Sequence, residues 1–369
     1  MKVLCINTNG LYNDGITNSI FTYYEYIDKS DMKIDLLKTK DTDETIIARA
    51  KAIGLNVVFS DYRRNVLRYI IKTAKLIKAE SYDIVHVHGS SAILSIDLLA
   101  AFLGGCKVRI AHSRNTKCKH NTINLLLKPL FYSLCTARFA CGNDAGKWLF
   151  GNRPFQVVKN AKNIEAFSYH ANVREKMRKQ QQWSDKIVIG HVGNFNYQKN
   201  HEFLIDVFHE IAKHHPNSIL VLIGSGSDYL NRAKEQVRHL GLEDKVIFMG
   251  SINNVPEMLQ AMDFMLFPSH FEGLPNVVLE WQIAGLPAII SNKITKECAL
   301  TNLIHFASID DGTEIWCSEV NNIFSYCEQA DREKDSEKAK MELRNAGFDI
   351  VESSKRLKKM YEDLVRDNR

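Results

Sequence analysis

Along the first half of the chain, short β-rich apolar runs alternate with segments whose apolar residues recur on a helical period. Val3 to Asn7 precedes a helical pattern over Thr17 to Ile27, Ile84 to His88 precedes Ala92 to Leu103, and Val108 to His112 precedes Thr122 to Leu134. The alternation weakens between Phe167 and Lys186, where the polar stretch Arg174 to Gln182 reads as a linker helix or a boundary. It resumes with strands over Ile187 to Val192, Ile219 to Ile223, Val246 to Met249, Phe264 to Phe267 and Ala288 to Ile290, and helices beginning at His201, Asp228, Val255 and Asn276. From Asp331 onward the charged segment has no strand signal and predicts two helices broken near Gly347. Such an alternation predicts an α/β fold of two doubly wound, Rossmann-like domains, with ligands at the carboxyl ends of parallel strands. The expected divisions are residues 1–170, residues 183–345 and a final helix over 346–369.

Composition agrees with this picture: 369 residues, 45% hydrophobic and 25% charged, suit two globular domains, each with its own core. The apolar start, Val3 to Ile6, is too short for a leader, and Ala92 to Leu103 is interrupted by Asp97 and too short to span a bilayer, so neither a signal peptide nor a transmembrane helix is expected. Eight cysteines without a Cys-x-x-Cys pair, several inside apolar patterns, fit reduced structural thiols of a cytoplasmic protein. Charge changes the picture more. Residues 1–180 carry 28 Lys and Arg against 15 Asp and Glu, a net +13, whereas residues 181–369 carry 20 against 28, a net −8. A basic half can attract an anionic membrane surface, and Arg63, Arg64, Arg68, Lys72, Lys75 and Lys78 recur on a helical period. Scattered solvated faces are the bland alternative. Nucleic acid is not expected, because no recognised motif or aromatic-interleaved basic stretch accompanies the charge.

The candidate chemistry concentrates in residues 271–287, FEGLPNVVLEWQIAGLP. Pro275 stands where a first-turn proline is tolerated and Gly285 where a helix commonly stops, which predicts a helix over Asn276 to Ala284. Its amino end would favour a phosphate, and Glu280, tilted back toward that end, would share the mouth with Glu272. Without that setting the two glutamates are ordinary solvated carboxylates. Lys199 precedes a helix, where a cation is slightly unfavourable, and His112 ends a strand, where it is either a site residue or a satisfied buried histidine. The Gly224-Ser225-Gly226 turn lacks the remaining glycine of a dinucleotide fingerprint, which disfavours a dehydrogenase. His86 and His88 share a strand face but no Cys, Asp or Glu joins them at ligand spacing, so a buried pair is expected rather than a metal. Asp41-Thr42-Asp43 reads as a solvated turn rather than a metal-binding Asp-x-Asp.

The order of elements and the residues at the strand ends resemble a glycosyltransferase of the GT-B fold, family 4, closest to bacterial capsular and exopolysaccharide enzymes. The resemblance covers most of the chain and rests on Asp14-Gly15-Ile16, VRIAHSRNT (108–116), ACGNDAGKWLFG (140–151), VGNFNYQKN (192–200), LIGSG (222–226) and residues 267–287. It implies two facing domains with a cleft between them, the acceptor bound on the first, the nucleotide sugar on the second, and the last helix returning to the first. By this resemblance Glu272 contacts the donor sugar, Glu280 the ribose, Gly273 and Leu274 offer backbone amides, and Lys199 sits on the diphosphate. The donor site it implies also takes in Gly15, Asn194, Gly224, Gly226, Pro275 and Asn276, with His112 beside the donor sugar. The implied activity is a retaining hexosyl transfer from a nucleotide diphosphate sugar, UDP-linked by expectation, to a lipid-linked saccharide at the cytoplasmic membrane face, without metal or other cofactor. Alternatives are a GT-B sugar-nucleotide epimerase or hydrolase and a non-catalytic partner subunit. Three residues depart from the family pattern: Asn194 where an arginine is usual, Asp14 in place of the first of two glycines, and Lys159 in place of a proline.

Overall fold

In the computed structural model every residue is described except Asn13, Thr39, Lys40, Asp41, Tyr62, Lys119 and Arg369. The chain forms two compact units, residues 1–162 with 347–369, and residues 163–346. The final helix joins the first unit, within one residue of the expected boundary, whereas the other boundary differs from the sequence reading. Residues 163–182 belong to the second unit because the helix Ala171–Gln181, read as a linker, is bolted to that unit's sheet: Arg174 and Arg178 both pair with Asp263, at 2.5 and 3.1 Å, and donate to the carbonyls of Gln260, Met262 and Ala261.

The first unit holds β1 (Lys2–Asn7), β2 (Lys33–Lys38), β3 (Asn56–Phe59), β4 (Ile84–Gly89), β5 (Val108–Ser113), β6 (Ala137–Ala140) and β7 (Gln156–Val157). Their order is β3-β2-β1-β4-β5-β6-β7, with every pair parallel. β2 escaped the sequence reading because Asp35 interrupts its apolar run; the carboxylate is buried and satisfied by the Tyr82 hydroxyl at 2.5 Å and the Asn56 amide at 3.0 Å. The final helix, Ile350–Asp367, starts on an Asp349 cap after Gly347 turns the chain at φ +78°. It buries Ile350, Leu357 and Tyr361 in the core formed with Ile20, Phe21 and Tyr24. Lys162 and the segment 348–350 exchange backbone hydrogen bonds of 2.8 and 3.0 Å, so the chain's end is stitched to this unit.

The second unit holds β8 (Ile187–Val192), β9 (Ser218–Ile223), β10 (Val246–Gly250), β11 (Phe264–Phe267), β12 (Ala288–Ser291) and β13 (Ile304–Ala307), in the order β10-β9-β8-β11-β12-β13, again all parallel. Strands with both faces covered by helices read as continuous apolar runs, and β9 and β11 are buried at every residue. Two doubly wound α/β units are thus present, the fold class the resemblance implies.

Candidate functional site

In the second unit the strand order reverses between β8 and β11, and a crevice outside the carboxyl ends of the strands at that point is where open α/β sheets bind ligands. The loops leaving these two strands are fastened together. After β8, Asn196 accepts a hydrogen bond from the Lys199 amide at 3.2 Å and closes a single turn over Tyr197–Lys199; Asn200, in the left-handed region at φ +55°, joins it to the helix His201–His214. After β11, the His270 amide donates to the Gln198 carbonyl at 2.8 Å, and the His270 ring stacks on Tyr197 with centroids 4.5 Å apart. The ammonium of Lys199 then lies 2.7 Å from Glu272 Oε1 and 4.4 Å from the centre of the Phe267 ring. Lys199 and Glu272 are therefore brought together, both largely buried.

The helix predicted to start at Asn276 does so and ends at Ile283, with Ala284 as its cap and Gly285 at φ +63°. A side chain at 285 is excluded because its Cβ would lie 2.6 Å from the Arg332 carbonyl oxygen. Gln282 anchors the helix: its amide donates to the Val278 and Cys298 carbonyls, and its oxygen accepts from the amides of Leu300 and Thr301 and the Thr301 hydroxyl. Gly273, Leu274 and Pro275 are buried at the helix entry, and Glu280 stands partly exposed one turn in. No acidic side chain occupies the first turn, and the cap position, Pro275, contributes no side-chain hydrogen bond, so the amides at this end face an anion with the helix dipole behind them.

Asn194, Gly224 and Gly226 also converge, for a backbone reason. Phe195 donates to the Ser225 carbonyl at 2.7 Å, and the Ser225 amide and hydroxyl reach the Asn194 side-chain oxygen at 3.3 Å. Gly224, at φ +155°, passes so close to the neighbouring loop that a Cβ would lie 2.1 Å from the Gly193 carbonyl oxygen; at Gly226 it would lie 2.5 Å from Phe195 Cβ. The two glycines and Asn194 therefore shape the loops after β8 and β9. Beneath Lys199, His191 and His201 were not singled out by sequence. Their rings are 4.7 Å apart, and burial pushes the first down to about 3 and the second to about 2, so both are neutral and positive charge at this edge stays on Lys199. For His191 the available signal was a histidine inside the apolar run of β8, and for His201 a histidine opening an amphipathic helix.

His112 and Gly15 belong to the first unit. The β4–β5 register sets His112 opposite His88, and His86 Nε2 lies 3.0 Å from His112 Nδ1. Arg114 Nε donates to His88 Nδ1 at 3.1 Å, and Tyr361 and His86 Nδ1 are 2.5 Å apart. Burial lowers the pKa of all three rings, the Arg114 charge lowers it further, and all are neutral. The sequence reading found no third donor for His86 and His88; the fold supplies His112, with nitrogens of the three within 4.8 Å. The donor set still suits a metal poorly, because the buried Arg114 guanidinium adjoins it and no carboxylate lines the adjacent cavity. Nε2 of His88 and of His112 have no hydrogen-bond partner among the described residues, and a cavity of about 10 Å³ beside the rings has room for about one water. Gly15 opens the helix Gly15–Tyr26, whose cap is Asp14, accepting from the Thr17 amide at 2.7 Å. The carboxylate that departs from the family pattern thus already occupies the anion-seeking end of that helix. Asp41 lies outside the described residues; Asp43 caps the helix Glu44–Ala52 through the Thr45 amide at 2.8 Å, a structural task.

Comparison with known proteins bears on family and fold. The family model for glycosyl transferases group 1 matches residues 173–299, and that for glycosyl transferase 4-like proteins matches residues 14–117; together they span more than half of the chain. The Bacillus subtilis protein EpsF, named as a glycosyltransferase, is 29% identical over 330 residues, 85% of either chain. An Escherichia coli UDP-Gal:alpha-D-GlcNAc-diphosphoundecaprenol alpha-1,3-galactosyltransferase is 28% identical over 81% of this chain and 80% of its own. The Anabaena protein Alr3699/HepE, crystallised with UDP and glucose, superposes with a TM-score of 0.81 at 16% identity, over 98% of this chain and all of the other, a likeness of fold alone. With both family models lying on the two α/β units, and the first of them enclosing Lys199, Glu272 and Glu280, the chain belongs to glycosyltransferase family 4 and is a GT-B glycosyltransferase enzyme.

Proposed function

We propose that the enzyme transfers a hexose, with retention, from a UDP-sugar to a lipid-linked saccharide in polysaccharide biosynthesis, working peripherally at the inner face of the cell membrane. The observation that carries this reading is the Lys199–Glu272 pair, at 2.7 Å, on the loops that leave β8 and β11 where the strand order reverses, just ahead of the helix Asn276–Ile283. Breaking a sugar–phosphate bond builds negative charge on the departing diphosphate and positive charge on the ring. Lys199 and the amides opening the helix Asn276–Ile283 meet the first, Glu272 the second, and Glu280 accepts from ribose hydroxyls. Until the donor arrives, Lys199 and Glu272 neutralise one another, and the diphosphate must take Lys199 from the carboxylate. The leaving phosphate then collects the acceptor's proton in a front-face displacement, so the leaving group is stabilised without a metal. The E. coli relative's named donor and diphospholipid-linked acceptor support the same substrate classes here.

Labelled UDP-sugars incubated with the protein and a bacterial lipid extract test the reading. Transfer into the lipid phase is expected with at least one donor. Label found only as free or isomerised sugar would replace the transferase reading by the hydrolase or epimerase one.

A further inference from the structure

Among the described residues, fifteen large apolar side chains are exposed, and nine of them, Val66, Leu67, Ile71, Phe102, Leu103, Ile123, Leu125, Leu126 and Leu130, stand on three helices of the first unit. These helices, Val66–Glu80, Ser95–Leu103 and Asn121–Leu134, lie side by side on one face of the sheet, over the core containing Tyr69, Ile70, Leu98, Ala101, Phe131 and Leu134. Their outer surfaces form one face of the unit. On the third helix the amphipathic rule is reversed: Asn124 is buried, while Leu125 and Leu126 are 68% and 74% exposed and continue through Pro129 to Leu130. An exposed apolar stripe on a helix of a water-soluble unit marks a surface that something covers.

Charge indicates what covers it. Residues 98–143 contain no aspartate or glutamate, and their surface cations include Lys107, Lys117 and Lys128, whereas Arg114 is buried against His88. Apolar side chains projecting from a helix within a segment carrying only positive charge suit a bilayer rich in anionic phospholipid, where leucines enter the acyl boundary and lysines stay among the head groups. The basic stripe read from the sequence contributes less than its count suggests. Arg63 is committed to Asp97 at 2.6 Å and to the Thr8 carbonyl, while Arg68 and Lys72 both pair with Asp61, at 2.7 and 2.9 Å. Among the described residues, no helix is long and apolar enough to cross a membrane.

We infer that the outer face of the helices Ser95–Leu103 and Asn121–Leu134 is a docking surface for an anionic membrane, seated by Phe102, Leu103, Leu125, Leu126 and Leu130. This rests on the proposed lipid-linked acceptor, to which it would deliver the first unit at the bilayer surface.

Sedimentation of the full chain with vesicles of equal phosphatidylglycerol and phosphatidylcholine, against phosphatidylcholine alone, tests it. Anionic vesicles should bind the wild type; Leu125→Asn with Leu126→Asn should weaken binding at least tenfold, and Lys117→Gln with Lys128→Gln about fivefold per residue. Unchanged circular dichroism and UDP binding would show the variants folded. Wild-type protein that ignores anionic vesicles, or leucine variants that bind as well as wild type, would overturn the inference. A wild-type dimer by light scattering that the leucine variants split, with no vesicle binding, would assign the face to a second copy and overturn it equally. UDP binding and label transfer to detergent-solubilised acceptor do not need this face, so their loss in the wild type would count against the proposed function instead.

Discussion

Lys199→Met and Glu272→Gln, singly and together, test whether the two loops are energetically joined at the switch point. The ammonium and carboxylate are 2.7 Å apart with side chains only 15% and 10% exposed, and the ammonium also faces the Phe267 ring. A hydrogen bond between charged groups contributes about 1.5–3 kcal/mol, and an aromatic face about 0.5–1 kcal/mol more. Methionine keeps the packing and discards the charge, leaving Glu272 buried without its cation, so Lys199→Met should destabilise by about 2–4 kcal/mol. Glu272→Gln retains an acceptor of the same shape and should lose less, about 1–2 kcal/mol. Since both changes break one contact, the double variant should cost less than the two single costs added, with a coupling of about 1–2 kcal/mol. Urea unfolding followed by tryptophan fluorescence measures all three free energies. A coupling below about 0.5 kcal/mol would show that the contact does not hold the loops, because independent sites add to within that margin.

Two further outcomes follow from buried groups. Because burial holds His86, His88, His112, His191 and His201 below their ordinary pKa, the unfolded chain takes up protons near pH 6.5 that the folded chain refuses. Stability is therefore fully present above pH 6.5 and lost as pH falls below it, by about 1.4 kcal/mol per ring between pH 7.5 and 5.5, about 4 kcal/mol for the first unit's three; urea midpoints that stay level over this range would refute it. Gly224→Ala, placing a Cβ 2.1 Å from the Gly193 carbonyl oxygen, should lower stability by about 1–3 kcal/mol and weaken UDP binding by displacing the loop after β8; an unchanged melting temperature would refute the packing argument.

Much of this was legible from the chain before folding was considered, and the exceptions have physical causes. Periodicity located β8, β9, β11 and the helix after Pro275, because strands covered on both faces are nearly continuous apolar runs and Pro and Gly mark helix limits. Glu272 and Lys199 were named from local pattern and resemblance, but their contact joins residues 73 positions apart and no spacing rule contains it. Asp35, buried in β2, hid its strand because its partners are distant in sequence, Asn56 on β3 and Tyr82 on the loop before β4. The third histidine of the buried cluster stayed out of view likewise, since only the β4–β5 register brings His112 to His88. The basic stripe at 63–78 erred in the opposite direction: its positive charges were countable, while the neutralising Asp61 and Asp97 belonged to neighbouring segments. The exposed leucines of Asn121–Leu134 matched the period of a buried face, and only packing shows which way a periodic stripe points.

Calorimetric titration of UDP into the wild type and into Glu280→Ala and Lys199→Met tests most directly the claim that the second unit's strand ends hold the nucleotide. Binding by the wild type, about tenfold weaker in Glu280→Ala and ten- to a hundredfold weaker in Lys199→Met, is the predicted result, given about 1.5–3 kcal/mol for a charged hydrogen bond. UDP bound equally by all three folded proteins would contradict the account.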